Sequence, residues 1–257
     1  MKFIVLLIDA LNLIRRVDAA RRNHAGSPAG SSVDACAQSL TRAVNECAPT
    51  HAVCVFEGTG TSFRTELYPG YKAGRSPMPS DLQRDIPAIK QAFLNMGIAS
   101  VEKDCVEADD VIATLASKIE AARGCAVILS TDKVFLQLLS DSIRVRDHFA
   151  RHYLDQAYVR DKFQVESAQM ADLLALAGDP TNNIPGVPSV GRKTAARLLH
   201  DYSSLENVLA HAPQIKGPAG KAIREHGSDA LLFLQLTRLK KDIDLGLNLR
   251  SFRYRRP

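Results

Sequence analysis

Phe3-Ile4-Val5-Leu6-Leu7-Ile8, closed by Asp9, is the stretch on which the fold turns. A short, apolar, β-branched run of this kind reads as a strand. Runs of the same character follow at Ala52–Phe56 and Ala126–Ser130, with a weaker one at Ile143–Val145, and helical stretches separate them up to about residue 150. That alternation predicts an α/β fold with a mainly parallel central sheet flanked by helices. In such folds the C-terminal ends of the strands form the functional edge. Asp9, Glu57 and Asp132 all belong to that edge.

The 257 residues are enough for one large domain or two small ones. The net charge of +5 is compatible with an anionic partner, as it is with many ordinary basic proteins. Cys36, Cys47, Cys54, Cys105 and Cys125 have no CxxC spacing and lie in apolar surroundings, so they are expected to pack as reduced thiols rather than bind zinc. Asp9 interrupts the first apolar run too early for a signal peptide core, and no run approaches membrane-spanning length. The expected compartment is the cytoplasm, with no membrane association, no nucleotide cofactor and a monomer as the default state.

Between Arg22 and Val33 the chain is rich in Gly, Ser and Pro and is expected to form a mobile insertion. Residues 58–80 are broken by Gly58, Gly60, Pro69, Gly70, Gly74, Pro77 and Pro79, with Arg64, Lys72 and Arg75 interleaved among Phe63, Tyr68 and Tyr71. A basic, aromatic loop beside an acidic edge suits a polyanion, though an ordinary solvated loop has the same composition. From about residue 166 the chain reads as helical, interrupted by a turn over Gly178–Gly191. The tail, with Arg250, Arg253, Arg255 and Arg256, is expected to fray.

Glu107-Ala108-Asp109-Asp110 opens a helix whose apolar stripe is Val106, Val111, Ile112, Leu115, Ala116 and Ile119. Glu107 and Asp110 share one face, and Asp109 lies roughly 100° around from Asp110. Acids in a first turn also complement the helix dipole, which by itself accounts for many such clusters. Together with Asp9, Glu57 and Asp132, however, they make an oxygen-only donor set of the kind that suits Mg²⁺ or Mn²⁺ rather than zinc. The seven histidines do not pair with these acids and read as surface or satisfied core residues.

Gly186-Val187-Pro188-Ser189-Val190-Gly191-Arg192-Lys193-Thr194 superficially resembles a phosphate-binding P-loop. Arg192 intervenes before Lys193, and Pro185-Gly186 rather than a strand precedes it, so that reading fails. A helix–hairpin–helix over 170–200 remains, with a plain helical turn as the alternative. In the former, backbone N–H groups and a helix N-terminus can hold a DNA phosphate.

These motifs, with Asp9-Ala10-Leu11-Asn12-Leu13-Ile14-Arg15-Arg16, Phe63-Arg64, Tyr71-Lys72-Ala73-Gly74-Arg75 and Ser130-Thr131-Asp132-Lys133, occur in the order found in the bacterial 5′-nuclease (flap endonuclease) family, which the chain resembles over nearly its whole length. The resemblance implies a PIN-like metal-dependent nuclease core over 1–165, including an arch region at 58–96, and a helical DNA-binding region over 166–257. It implies Mg²⁺-dependent cleavage of branched DNA carrying a 5′ flap. Asp9, Glu57, Glu107, Asp109, Asp110, Asp132 and Asp179 would serve the metal, with Asp109 foremost, and Lys72 and Arg75 would position the scissile phosphate. Arg15, Arg16 and Arg64 would contact DNA, as would Ser189, Val190, Gly191, Arg192, Lys193 and Thr194. A K⁺ ion would sit on the carbonyls of Leu176, Ala177, Pro185, Val187 and Val190. Two family acids are replaced by Val134 and Asn182, and Glu57 stands where Asp is usual. The expectation is therefore one firmly held Mg²⁺, with a branched-DNA-binding protein of weak or lost activity as the main alternative. A PIN-like ribonuclease would share the acidic edge but would not need the hairpin.

Overall fold

The computed structural model describes residues 3–23 and 31–255. In chain order the elements are β1 (Ile4–Asp9), α1 (Ala10–Asn23), α2 (Ser32–Cys47), β2 (His51–Val55), α3 (Phe63–Leu67), α4 (Ser80–Asn95), β3 (Ala99–Val101), α5 (Ala108–Ala121), β4 (Cys125–Leu129), β5 (Ile143–Asp147), β6 (His152–Leu154) and α6 (Gln156–Phe163). The helices α7 (Met170–Ala177), α8 (Arg192–Tyr202), α9 (Leu205–Ala210), α10 (Gly217–Glu225) and α11 (Gly227–Thr237) follow.

The strands form one sheet in the order β3-β2-β1-β4-β5-β6, parallel throughout except for the antiparallel β5–β6 pair. The expected mainly parallel α/β architecture is thus present. The pleat explains why the central runs carry no polar alternation. On β1, Val5 and Leu7 face one layer while Leu6 and Ile8 face the other; β2 divides Val53 and Val55 from Ala52 and Cys54 in the same way. With both faces covered, every position must be apolar. One face carries α5, and the other carries α1, α2 and α4.

The apolar cluster beneath α5 does not stop at the sheet. It continues through Met170, Leu173 and Leu176 of α7 into Leu198 and Leu199 of α8 and Phe233 and Leu234 of α11. The division expected at 165/166 falls between α6 and α7, but the core crosses it. Residues 80–95, expected within the arch, form α4, which buries Leu82, Ile89 and Phe93. Their spacing of seven and four residues puts all three on one helix face.

Three expectations need correcting. β3 and β6 went unread because each has only three residues, too few to show a period. The tail does not fray through Arg255: Phe252 is buried, Arg253 bridges antiparallel to His51, and the Tyr254 amide donates to the Thr50 carbonyl at 2.9 Å. One buried phenylalanine anchors a segment whose arginines look solvated. Arg256 lies outside the described residues, as does the centre of the expected insertion at 24–30; Arg22 ends inside α1, and Ser31 caps α2. Lastly, Cys105 is exposed, on a left-handed turn, whereas Cys36, Cys47 and Cys54 are buried as expected. Among the described residues no helix is long and apolar enough to cross a membrane.

Asp172 on α7 is enclosed, and its Oδ1 has no hydrogen-bond partner; the Arg238 guanidinium stands 3.6 Å away. Burial, reinforced by Glu206, pushes its carboxyl up to about 6. A carboxyl raised on folding contributes stability that is present below its unfolded pKa of about 4 and lost as pH rises through the folded value, here up to about 3 kcal/mol. Asp172→Asn is therefore expected to gain on the wild type between pH of about 4.5 and about 7.5 in urea denaturation. An equal difference between the two proteins at both pH values would contradict this assignment.

Candidate active site

In a sheet of order 3-2-1-4-5 the strand connections diverge between β1 and β4, and a crevice opens beyond their C-terminal ends. Here that point is laced shut by side chains. Ser130 Oγ donates to Asp9 Oδ2 at 2.7 Å, and the Thr131 amide and hydroxyl both donate to Asn12 Oδ1. Beyond the lacing lies a cleft of about 540 Å³ whose lining includes Asp9, Glu57, Asp109 and Asp132 together with Arg15, Arg16, Lys72 and Arg75.

Each acid is held by its own element. Asp9 ends β1 and also accepts from the Asn12 amide at 3.2 Å. Asp132 caps the turn after β4 through the Val134 amide at 2.9 Å. Glu57 follows β2 at the exposed rim and accepts from the Ala108 amide at 3.3 Å, at the positive end of α5. Asp109 projects from the first turn of the same helix. Burial, aided by repulsion from Asp132 and Glu57, raises Asp9 to about 6. Burial and the negative charges of Asp9 and Asp132 hold Asp109 well above the usual carboxylate range. Oxygen-only carboxylates gathered in one cleft, with Asp9 and Asp109 disfavoured as anions by burial and by their neighbours, fit a hard divalent cation. Among the described residues no three acidic, histidine or cysteine side chains close into a preformed metal cage; the acids line an open cleft instead.

Two of the expected acids stand apart from this cleft. Asp110 points away from the cleft, roughly 100° around α5 from Asp109, and both its oxygens receive the fork of Arg64 at 2.6 and 2.8 Å. Arg64 is 1% exposed and also donates to the carbonyls of Leu236 and Arg238. It cannot reach DNA from there, which corrects its expected role; Arg64 and Tyr71 anchor 58–80 to the core while most of that segment stays exposed. Asp179 is likewise enclosed, with its carboxylate taken by Lys133, Thr181 and Asn182. Glu107 occupies an intermediate position, 3% exposed behind Asp109. It accepts from Lys72 Nζ at 2.6 Å, Ser62 Oγ at 2.7 Å and Tyr71 Oη at 3.1 Å. Lys72 and Arg64 together hold its carboxyl below the usual range despite burial.

Arg15 and Arg16 rise from α1 at the cleft rim. Arg15 donates to the Ser76 carbonyl at 3.3 Å, and Arg16 lies over the Phe149 ring. Beside Arg16, His148 has both ring nitrogens enclosed without a partner, and burial depresses it to about 4, so it is a neutral histidine and not the satisfied one expected.

The Gly-rich turn forms the expected hairpin between α7 and α8. Gly178 and Gly186, both with positive φ, pack back to back; a Cβ on Gly186 would lie 2.3 Å from the Gly178 nitrogen. Only glycine permits that approach. The Val187 amide closes the hairpin on the Leu176 carbonyl at 2.8 Å, which brings together the segments carrying Leu176, Ala177, Pro185, Val187 and Val190. Ser189, Gly191, Arg192 and Lys193 are exposed and Thr194 half-buried, with no side chain capping α8. Val190 differs: its side chain is buried and its amide donates to Val187, so it has no group free for a phosphate. Arg192, Lys193 and Arg197 form no ion pair among the described residues.

Two family models match the chain in succession. The 5′-3′ exonuclease N-terminal resolvase-like domain covers residues 4–164, and the 5′-3′ exonuclease C-terminal SAM fold covers 165–257. The chain belongs to the 5′-3′ exonuclease family. Among its relatives, flap endonuclease Xni of Aeromonas hydrophila is 42% identical over 97% of this chain and 95% of its own length. Flap endonuclease Xni of Yersinia enterocolitica is 40% identical over the whole of both chains. The bacteriophage T5 flap endonuclease, solved with DNA and metal ions, shares the fold at a TM-score of 0.76 and 19% identity, covering 91% of this chain and 88% of its own. In this member of the family the residues that sequence reasoning did not assign to the site are Asn12, Ser62, Tyr71, Ser130 and Thr131. All five hold a carboxylate or the lacing in place. Asn12, Tyr71, Ser130 and Thr131 already lay inside the motifs above; Ser62, at the N-cap of α3, gave no comparable signal.

Proposed function

We propose that the chain is a Mg²⁺-dependent structure-specific nuclease that cuts branched DNA at a 5′ single-stranded flap. The observation that carries this reading is one cleft that Asp9, Glu57, Asp109 and Asp132 share with Lys72 and Arg75. Acids alone would bind a cation and bases alone an anion; both in one crevice suit a phosphodiester approaching a metal. Mn²⁺ would substitute for Mg²⁺. A bound ion would polarise the phosphate and supply hydroxide. Asp9, Glu57, Asp109 and Asp132 would hold it, with Glu107 behind them. Lys72 and Arg75 would orient the phosphate, and Arg15 and Arg16 would meet the strand at the rim. The names of the relatives support the flap substrate, and the five unpaired cysteines agree with a reducing cytoplasm. The hairpin carbonyls of Leu176, Ala177, Pro185, Val187 and Val190 would take K⁺, and the protein would act as a monomer.

The test is a labelled 5′-flap duplex with Mg²⁺, comparing wild type with Lys72→Ala. Cleavage by the wild type, and loss on the order of a hundredfold in the variant, is expected for removal of one charge that stabilises the transition state. Intact binding without cleavage at any metal concentration would favour the alternative, a branched-DNA-binding protein. The enclosure of Asp179 together with Val134 and Asn182 is what favours that alternative.

Gly191→Asp separates grip from cutting. A Cβ at Gly191 meets nothing within 4 Å, and the residue is the N-cap of α8, where aspartate is a preferred cap. Folding stability should be kept or rise slightly, while a carboxylate facing the duplex phosphates should weaken binding roughly tenfold, with a flatter dependence on salt. Unchanged affinity in a fluorescence-anisotropy titration would remove the hairpin from the duplex interface.

A further inference from the structure

The turn that precedes the hairpin reaches back into the cleft. Lys133 Nζ donates to Asp179 Oδ1 at 2.7 Å, Asn182 Nδ2 donates to Asp179 Oδ2 at 2.7 Å, and Arg75 Nη2 donates to Asn182 Oδ1 at 2.7 Å. The Thr181 amide adds a bond to Asp179, and Arg75 Nε reaches the Thr181 carbonyl at 3.4 Å. The same turn takes the backbone of the basic loop: the Lys72 amide donates to the Asn182 carbonyl at 2.9 Å, and Asn183 Nδ2 donates to the Gly70 carbonyl at 2.7 Å. Asp179 is 2% exposed and does not line the cleft.

We infer that Lys133, Asp179 and Asn182 are positioning residues, a relay that aims Arg75 into the cleft. Each link has a chemical reason. The buried Asp179 carboxylate needs a counter-charge, and Lys133 supplies it. With both its oxygens occupied, Asp179 orients the Asn182 amide so that its nitrogen points inward and its oxygen outward. An outward amide oxygen is an acceptor for Arg75, which an apolar residue at 182 would not provide. Asp179 thus serves the orientation of a cation rather than the capture of a metal.

This inference rests on the nuclease reading, and its test has an arm independent of cleavage. In the full-length protein at saturating Mg²⁺, Lys133→Met, Asp179→Asn and Asn182→Ala are each expected to slow single-turnover flap cleavage roughly ten- to a hundredfold, as misplacement of a catalytic group does. Duplex affinity should be unchanged, and Lys133→Arg should restore most of the rate. In an Arg75→Ala background the Asn182→Ala and Lys133→Met changes should add no more than about twofold, because they act through the residue already removed. Losses that multiply in that background would overturn the relay. So would an Asp179→Asn enzyme whose rate is fully recovered by more Mg²⁺, since that is the behaviour of a metal ligand. Independently, the arginine Nε–H resonance lost in Arg75→Lys should shift in Lys133→Met and Asn182→Ala; an unmoved resonance would also overturn it. If the wild type cuts no flap, the nuclease reading fails while the resonance still decides the relay.

Discussion

Asp109→Ala is expected to abolish flap cleavage without harming the fold. Asp109 lines the cleft together with Asp9, Asp132 and Lys72, and burial and the charges of Asp9 and Asp132 hold its carboxyl well above the ordinary range. Removing the proposed ligand would forfeit several kcal/mol of metal-based stabilisation, which is a factor on the order of a thousand or more in rate. The stability effect has the opposite sign. A carboxylate whose ionised form is disfavoured by folding opposes the folded state at neutral pH, so its removal should leave the melting temperature equal or raised. Calorimetric melting and single-turnover cleavage together check both halves. A variant that keeps cleavage within tenfold of wild type would displace Asp109 from the centre, and a large fall in melting temperature would give it a structural role instead.

The largest expected loss of stability lies on another face of the same helix. Arg64 and Asp110 form a buried two-pronged ion pair, and Arg64→Ala leaves the Asp110 charge enclosed without a partner. That alone costs about 3–5 kcal/mol. The carbonyls of Leu236 and Arg238 lose their donor as well, at about 1–3 kcal/mol for each group left unsatisfied. The total rivals the whole margin of a typical domain, so the variant should be mostly insoluble or unfolded at 37 °C. Arg64→Met with Asp110→Leu should recover part of the loss but not all of it, because the two carbonyls and the Lys240 amide, which donates to Asp110 at 2.9 Å, stay unpaired. Urea denaturation distinguishes the outcomes: a stable Arg64→Ala protein would mean that water reaches this pair.

The sequence carried the sheet and half of the site because both follow from short-range rules. β1, β2 and β4 are buried on both faces, so each is a continuous apolar word followed within three residues by an acid or closed by one, and parallel topology puts those ends on one edge. What it hid depended on partners far away in the chain. The helical wheel separated Asp109 from Glu107 and Asp110, but nothing near residue 110 announces Arg64, 46 residues earlier. Arg64 itself sits among glycines and prolines, where an arginine is ordinarily solvated. The enclosure of Asp179 likewise depends on Lys133, also 46 residues away. In both places the type of residue was legible and its orientation was not, since orientation is decided by the counter-ion that tertiary packing supplies.

The apolar cluster that runs unbroken from the sheet into α7, α8 and α11 has a geometric consequence for how the protein would measure DNA. A close-packed interior deforms little, and the turn at 179–183 ties the hairpin side to the loop of Lys72 and Arg75. Grip and blade are therefore mounted on one chassis. A duplex seated on the hairpin would present its backbone to the cleft at a fixed offset, so the position of the cut would be counted from the branch point and not from the free end of the flap.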